Sequence, residues 1–154
     1  MSTHQPDELV IRLATPDDIE QIEYLDSFSS SPTRDIHRDI EKYFGSVDPS
    51  THDRTVIFLL EIQGTIVGKA EMMLPTQEMG EGVGYIKRVV VHPDFRGRGL
   101  AKSLLLHIFA FARTEQNLQT IDLYVWEQNV SAIKLYELLG FELQHRELYY
   151  RKKL

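Results

Sequence analysis

Between positions 89 and 101 the chain reads Val-Val-Val-His-Pro-Asp-Phe-Arg-Gly-Arg-Gly-Leu-Ala. Three β-branched residues favour a strand, and Pro93 stops it. Two glycines and two arginines follow. Leu100, Leu104, Ile108 and Phe111 then recur at the spacing of one helix face. The stretch therefore predicts a strand, a loop and a helix in immediate succession. Glycine lets backbone N–H groups come close to an anion. A helix start adds N–H groups with no partner and a partial positive charge. Arg96 and Arg98 supply donors suited to phosphate oxygens. The combination is a ready site for a phosphate or pyrophosphate.

Two well-known phosphate loops do not fit. A Walker-type loop needs glycine where this chain has Arg96 and Ala101, although Lys102-Ser103 follow in the right place. The dinucleotide fingerprint needs a small residue where Lys102 stands after Gly97 and Gly99. What remains is Arg96-x-x-Gly99-x-Ala101 opening a helix, directly after Val-x-Pro at a strand end.

With 154 residues the chain is expected to form one domain over 1–154, with residues 1–7 as a loose tail. Seventeen Lys and Arg against twenty-three Asp and Glu give a net charge of −6, which argues against a nucleic-acid partner. The absence of cysteine excludes disulfides, thiolate zinc sites and a cysteine nucleophile, and fits a reducing, cytoplasmic location. The N-terminus lacks the basic start and apolar core of a signal peptide. No run approaches the 18 apolar residues of a membrane span. Six histidines, at 4, 37, 52, 92, 107 and 145, show no metal-site spacing, so no metal is expected.

Residues 9–13 predict a strand. Thr15-Pro16-Asp17-Asp18 predicts a helix start, with Ile19, Ile22 and Leu25 inward. Thr33 reads as the cap of a second helix through Ile36, Ile40 and Phe44, closed by Gly45. Residues 55–62 and 65–72 form a hairpin about Gln63-Gly64. Residues 75–84 read as a mobile loop. Strands follow at 85–91 and 121–126, with helices from Leu100 and over 129–139. Residues 141–153 read as one long strand or two short ones. This order predicts an α/β (α+β) fold, a mixed sheet with helices on both faces.

A second constellation is Asn129-x-x-Ala132-x-x-Leu135-Tyr136-Glu137-x-x-Gly140-Phe141. Seven helical residues turn about 700°, so Asn129 and Tyr136 share one face. Asn129 stands at the N-cap position, where its side chain holds backbone N–H groups and its amide could also reach a ligand. The ordinary reading of each is a helix cap and a packed tyrosine.

Together the two segments resemble the GNAT (Gcn5-related) N-acetyltransferases, whose motif A reads Arg/Gln-x-x-Gly-x-Gly/Ala. The resemblance covers nearly the whole chain and is sharpest from Tyr85 to Phe141. It implies a mostly antiparallel sheet with strands 4 and 5 splayed apart. It implies acetyl-CoA as cosubstrate, its pyrophosphate held by Arg96, Gly97, Arg98, Gly99, Leu100, Ala101 and Lys102. Its pantetheine arm would lie on Val89, Val90 and Val91, with Asn129 touching the cofactor. Tyr136 would protonate the departing thiolate, a sensible pairing for a phenol near pKa 10 and a thiol near roughly 8.5. A homodimer is a further expectation.

The sequence departs from the family in one place. Many members carry a glutamate on the central strand as general base, where this chain reads Tyr85-Ile86-Lys87-Arg88. Glu71 on the preceding strand is the candidate catalytic base, ahead of Glu81. His92 is expected to serve the turn. Neighbours on a strand point to opposite faces, so one of Lys87 and Arg88 faces the cleft. Tyr85 and Lys87 are the substrate-binding candidates, a lysine being suited to a substrate carboxylate. The expected reaction is direct attack of a small-molecule primary amine on acetyl-CoA. A protein acceptor, or a non-catalytic acyl-CoA-binding module, are the alternatives.

Overall fold

A computed structural model describes residues 8–29, 31–38, 40–49, 54–75 and 82–154. The chain divides into two compact units, Met1–Tyr124 and Val125–Leu154. The first unit carries a five-stranded sheet in the order β1-β2-β3-β4-β5, formed by Leu9–Leu13, Arg54–Ile62, Thr65–Leu74, Val83–Val91 and Thr120–Leu123. The first four strands pair antiparallel, and β5 lies parallel to β4. Three helices accompany them: α1 (Ile19–Asp26), α2 (Ile40–Tyr43) and α3 (Leu100–Thr114). The mixed sheet predicted from the element order is the one observed.

Alternation along β2 builds a core on each face of the sheet. Ile57 and Leu59 pack with Ile19, Ile22, Ile36 and Tyr43. Phe58 points the other way, its ring 5.0 Å from that of Phe111 on α3. A strand covered on both faces has no solvated side, so β2 is apolar at successive positions. On β3 the same alternation sends Gly68 towards α3, where an added Cβ would stand 3.4 Å from Leu104 Cδ1. Lys69 and Glu71, the next buried residue and its i+2 neighbour, stand on the face of α1.

The N-terminal start of α1 follows its sequence signal. Pro16–Asp18 makes a 3-10 turn, and the Thr15 N–H donates to Asp18 Oδ2 at 2.8 Å. Arg12 on β1 donates to both oxygens of Asp18 at 2.8 Å.

Four expectations are corrected. The helix predicted from Thr33 is absent, and α2 is a four-residue turn of helix from Ile40. Ile36 is nevertheless fully buried, and Arg34 is drawn into ion pairs, so tertiary contacts override the apolar spacing. Val83 and Gly84, read as part of a loop, begin β4; residues 76–81 of that loop lie outside the described residues. β5 ends at Leu123, three residues early. Residues 141–154 form no strand.

The second unit contains α4 (Val130–Leu138) and the extended residues after Gly140. Asn129 caps α4, its Oδ1 accepting from Ala132 N at 3.3 Å. Gly140 takes a left-handed φ of 98° and ends the helix.

Candidate functional site

The loop after β4 has the geometry its composition predicts. Gly97 and Gly99 sit at φ 79° and 73°, and a Cβ on either would meet nothing within 4 Å. Glycine is therefore demanded by conformation, and the space before both residues is open. Gly99 is the N-cap of α3 with no side-chain cap, and no acidic residue stands in the first turn. The first intrahelical bond runs from Ser103 N to the Gly99 carbonyl at 3.1 Å. The N–H groups of Leu100, Ala101 and Lys102 thus face outward uncapped, at the positive end of a fifteen-residue helix.

Neighbouring side chains hold the loop. Arg96 Nε donates to the Val91 carbonyl at 3.1 Å. The Arg98 guanidinium lies over the Phe95 ring, 5.0 Å from its centroid. His92 caps the turn at Pro93–Phe95, its Nδ1 accepting from Asp94 N at 3.1 Å. Its Nε2 meets Tyr24 Oη at 3.2 Å. The turn role expected of His92 is what it performs.

β4 also separates from its neighbour. Pairing with β5 covers Val83–Ile86 against Thr120–Leu123, while β4 continues to Val91. Its last five residues have no strand beside them on that edge among the described residues. Opposite β3, the register moves from Lys69↔Val90 to Glu71↔Lys87, so Arg88 and Val89 together face Ala70. Arg88 adopts a left-handed φ of 51° in this bulge. Such backbone costs a non-glycine residue about 1–3 kcal/mol and persists only where its surroundings impose it. A bulge of this kind bends the strand. His92 N–H is donated to Val67 on β3 at 2.8 Å. Successive amides point to opposite edges, so that of Val91 points into the opening.

Under the bulge lies a buried cluster of charges. Glu71 is fully buried, with Lys69 Nζ on Oε2 at 2.7 Å and Arg34 Nη1 on Oε1 at 2.6 Å. Arg34 Nη2 also donates to Oε2. Asp26 at the end of α1 takes Lys69 at 2.7 Å and Arg34 Nε at 3.0 Å. Arg88 Nη2 donates to the Pro32 carbonyl at 2.9 Å, and its Nη1 stands 3.8 Å from Asp26. Burial by itself would raise the proton affinity of Glu71, but hydrogen bonds from Arg34 and the charges of Lys69 and Arg34 outweigh it. The carboxylate is held below its ordinary range. A buried carboxylate gripped by two cations is a poor proton acceptor, which weighs against Glu71 as general base. The sequence signal for the cluster was Lys69-x-Glu71 inside an otherwise apolar strand. Two opposite charges on one face of a buried strand have to satisfy each other.

Tyr85 stacks on Tyr124 at 6.1 Å and 11°, and Lys87 sits opposite Glu71 in the ladder. Glu81 lies outside the described residues. In the second unit, the Tyr136 ring packs edge-on to Phe141 at 5.8 Å. Desolvation pushes its phenol above the ordinary tyrosine value. Asn129 Oδ1 is committed to the helix cap. Among the described residues, no group of three or more His, Asp or Glu could hold a metal ion. No helix there is long and apolar enough to cross a membrane.

An uncapped helix start behind two left-handed glycines, beside a bulged strand, is an arrangement for a diphosphate carrying a long amide-bearing arm. Residues 16–141 match the Acetyltransferase (GNAT) family, and the match runs across the division at Tyr124. The chain belongs to that family. It is 31% identical over 143 residues to an acetyltransferase of Yersinia pestis, covering 87% of this chain and 88% of the relative. It is 31% identical over 96 residues to the glucosamine 6-phosphate N-acetyltransferase of Trypanosoma brucei brucei, covering 61% of this chain. That match takes in 63% of the relative, less than two thirds of its length. Among solved structures, the aminoglycoside N-acetyltransferase AAC(6')-Iy in complex with CoA shares the fold with a TM-score of 0.75. It is 21% identical, with 99% of this chain and all of that one covered.

Proposed function

We propose that the protein is a cytoplasmic, acetyl-CoA-dependent N-acetyltransferase acting on a primary amine of a small molecule. The carrying observation is the open loop at Gly97–Gly99 in front of uncapped helix amides. These residues fit the diphosphate of coenzyme A. Nothing fills the space before them, no acid opposes an anion, and Arg96, Arg98 and Lys102 add positive charge. One relative is named for glucosamine 6-phosphate, which supports a small-molecule acceptor.

Bound acetyl-CoA supplies the activated acetyl thioester. The chain's own groups do the rest in this reading. The amides of Leu100, Ala101 and Lys102 bind the diphosphate, with Arg96 and Arg98 at its rim. Backbone groups of Val89 and Val91, with Val90 between them, align the amide arm. The Val89 N–H steadies negative charge on the acetyl oxygen. The Tyr136 phenol delivers its proton to the departing sulfur. The amide of Asn129, whose oxygen serves the cap, donates to the cofactor arm. Tyr85 and Lys87 face the acceptor, Lys87 suiting an acidic group on it. Glu71 fixes the bulge from below, as a positioning residue, and the amine reacts from its neutral fraction. The working unit is a homodimer.

Calorimetric titration with coenzyme A checks the carrying observation. Wild type binds saturably, and Gly99→Val, whose side chain would enter the open space, binds about tenfold more weakly, a loss of about 1.4 kcal/mol. Acetyl-CoA turnover over an amine panel then gives product, and Tyr136→Phe lowers kcat. Absence of coenzyme A binding overturns the reading, and an unchanged kcat removes Tyr136 from it.

A further inference from the structure

Lys69 is fully buried on β3, where Val67, Ala70 and Met72 around it are buried and apolar. A lysine is rarely taken wholly out of water, and its three N–H groups then need acceptors. Two carboxylates take it, Glu71 Oε2 and Asp26 Oδ1, both at 2.7 Å. The third acceptor is not a side chain. It is the backbone carbonyl of Arg88, 3.4 Å from Nζ, at the bulge of β4. Charge balance does not require this lysine. Among the described residues the cluster sets Arg34, Arg88 and Lys69 against Glu71 and Asp26, and the two arginines by themselves match the two carboxylates.

The Arg88 carbonyl belongs to the peptide unit whose N–H is that of Val89. The unit is trans, so its C=O and N–H point in opposite directions. With the oxygen aimed at the buried cluster, the Val89 N–H is aimed away from it. Arg88 has two anchors: its Nη2 on the Pro32 carbonyl at 2.9 Å, and its own carbonyl under Lys69. They hold the left-handed backbone, φ 51°, that sets this orientation. An ammonium on a carbonyl also draws electron density through the amide, and the N–H of the same unit becomes a stronger donor. The effect is greatest where water is excluded, as it is around Lys69.

We propose that Lys69 is a positioning residue for acetyl transfer: its buried ammonium fixes and polarises the Arg88–Val89 peptide, so that the Val89 N–H meets the acetyl oxygen as negative charge develops there. This rests on the reading of Val89 as donor to that oxygen. The amine lone pair bonds to the acetyl carbon while the carbonyl π pair moves to oxygen. That pair returns as the C–S bond breaks. Lys69 neither gives nor takes a proton and touches neither substrate nor cofactor; it acts through one peptide unit.

Acetyl-CoA labelled with carbon-13 at its carbonyl reports the contact, because a hydrogen bond to the acetyl oxygen lowers the C=O stretching frequency. Difference infrared spectra are taken without acceptor amine. The wild-type complex is expected to absorb at lower frequency than a simple acetyl thioester in a solvent without donors. In Lys69→Met, which keeps the side chain's length, the band is expected to move back up. Single-turnover acetyl transfer to the best amine of the panel is expected to fall about tenfold, less than the roughly 10²–10³ lost with a whole oxyanion donor. Calorimetric affinity for coenzyme A stays as in wild type, since the diphosphate loop is untouched. A structural role alone would lower the urea midpoint and leave the band, and the rate per folded molecule, unchanged. That result, after a lowered wild-type band, overturns this proposal alone. A wild-type band that is not lowered overturns it by removing the reading of Val89. Should Lys69→Met fail to fold, Lys69→Gln, which still donates to Glu71 but carries no charge, is read against the same outcomes.

Discussion

Glu71 shows how surroundings set what a single carboxylate is suited to do. A carboxylate on β3 was a reasonable candidate base from the sequence. In the fold it is fully buried between Arg34 and Lys69. Removing its charge strands two buried cations, so Glu71→Gln is expected to cost about 3–5 kcal/mol, measured by urea unfolding at neutral pH. The pH dependence has a definite sign. The folded carboxylate binds its proton more weakly than the unfolded one, so its stabilisation is complete above the unfolded value of roughly 4.3. It is lost as pH falls through the lower folded value. Wild type should therefore lose stability with acid more steeply than Glu71→Gln. Equal slopes would show that the cluster contributes nothing to acid sensitivity.

At the scale of elements, the junction between β4 and α3 was legible because local chemistry decides it. Proline ends a strand, glycines take left-handed backbone, and a periodic apolar run begins a helix, whatever surrounds them. The bulge at Arg88–Val89 was not legible, since nothing in Lys-Arg-Val-Val signals two residues facing one across a ladder. Nor was the loss of the second helix, because the pull on Arg34 comes from Glu71, 37 positions away. Packing along β4 gives a direct test. A Cβ on Gly84 would stand 2.8 Å from Leu118 Cδ1 and 3.3 Å from Met72 Sδ. Gly84→Ala should overpack this contact and destabilise by about 1–3 kcal/mol in thermal or urea unfolding. A neutral result would mean that the segment after α3 yields freely.

For the molecule as a whole, the family assignment and the ion pairs that hold Glu71 make a joint prediction about rate. With Glu71 gripped by cations, an alkyl amine with a pKa of roughly 10 reacts from its neutral fraction. In that case kcat/KM for such an acceptor rises about tenfold per pH unit up to the amine's own pKa. Desolvation pushes the Tyr136 phenol upward, the direction that favours keeping its proton as pH rises. A plateau near neutrality in steady-state assays would reveal a titrating base and return the role to a side chain.

The sequence by itself determined the elements whose geometry is set within a few residues: the glycine loop, the uncapped start of α3, the Asn129 cap, the β2–β3 hairpin and the mixed order of strands and helices. Their causes are steric and local, and they read correctly with no knowledge of neighbours. Tertiary structure alone decided which charges meet and where β4 leaves β5. Ion pairs and ladders need a partner brought from a distant part of the chain, and no local pattern encodes where that partner will stand.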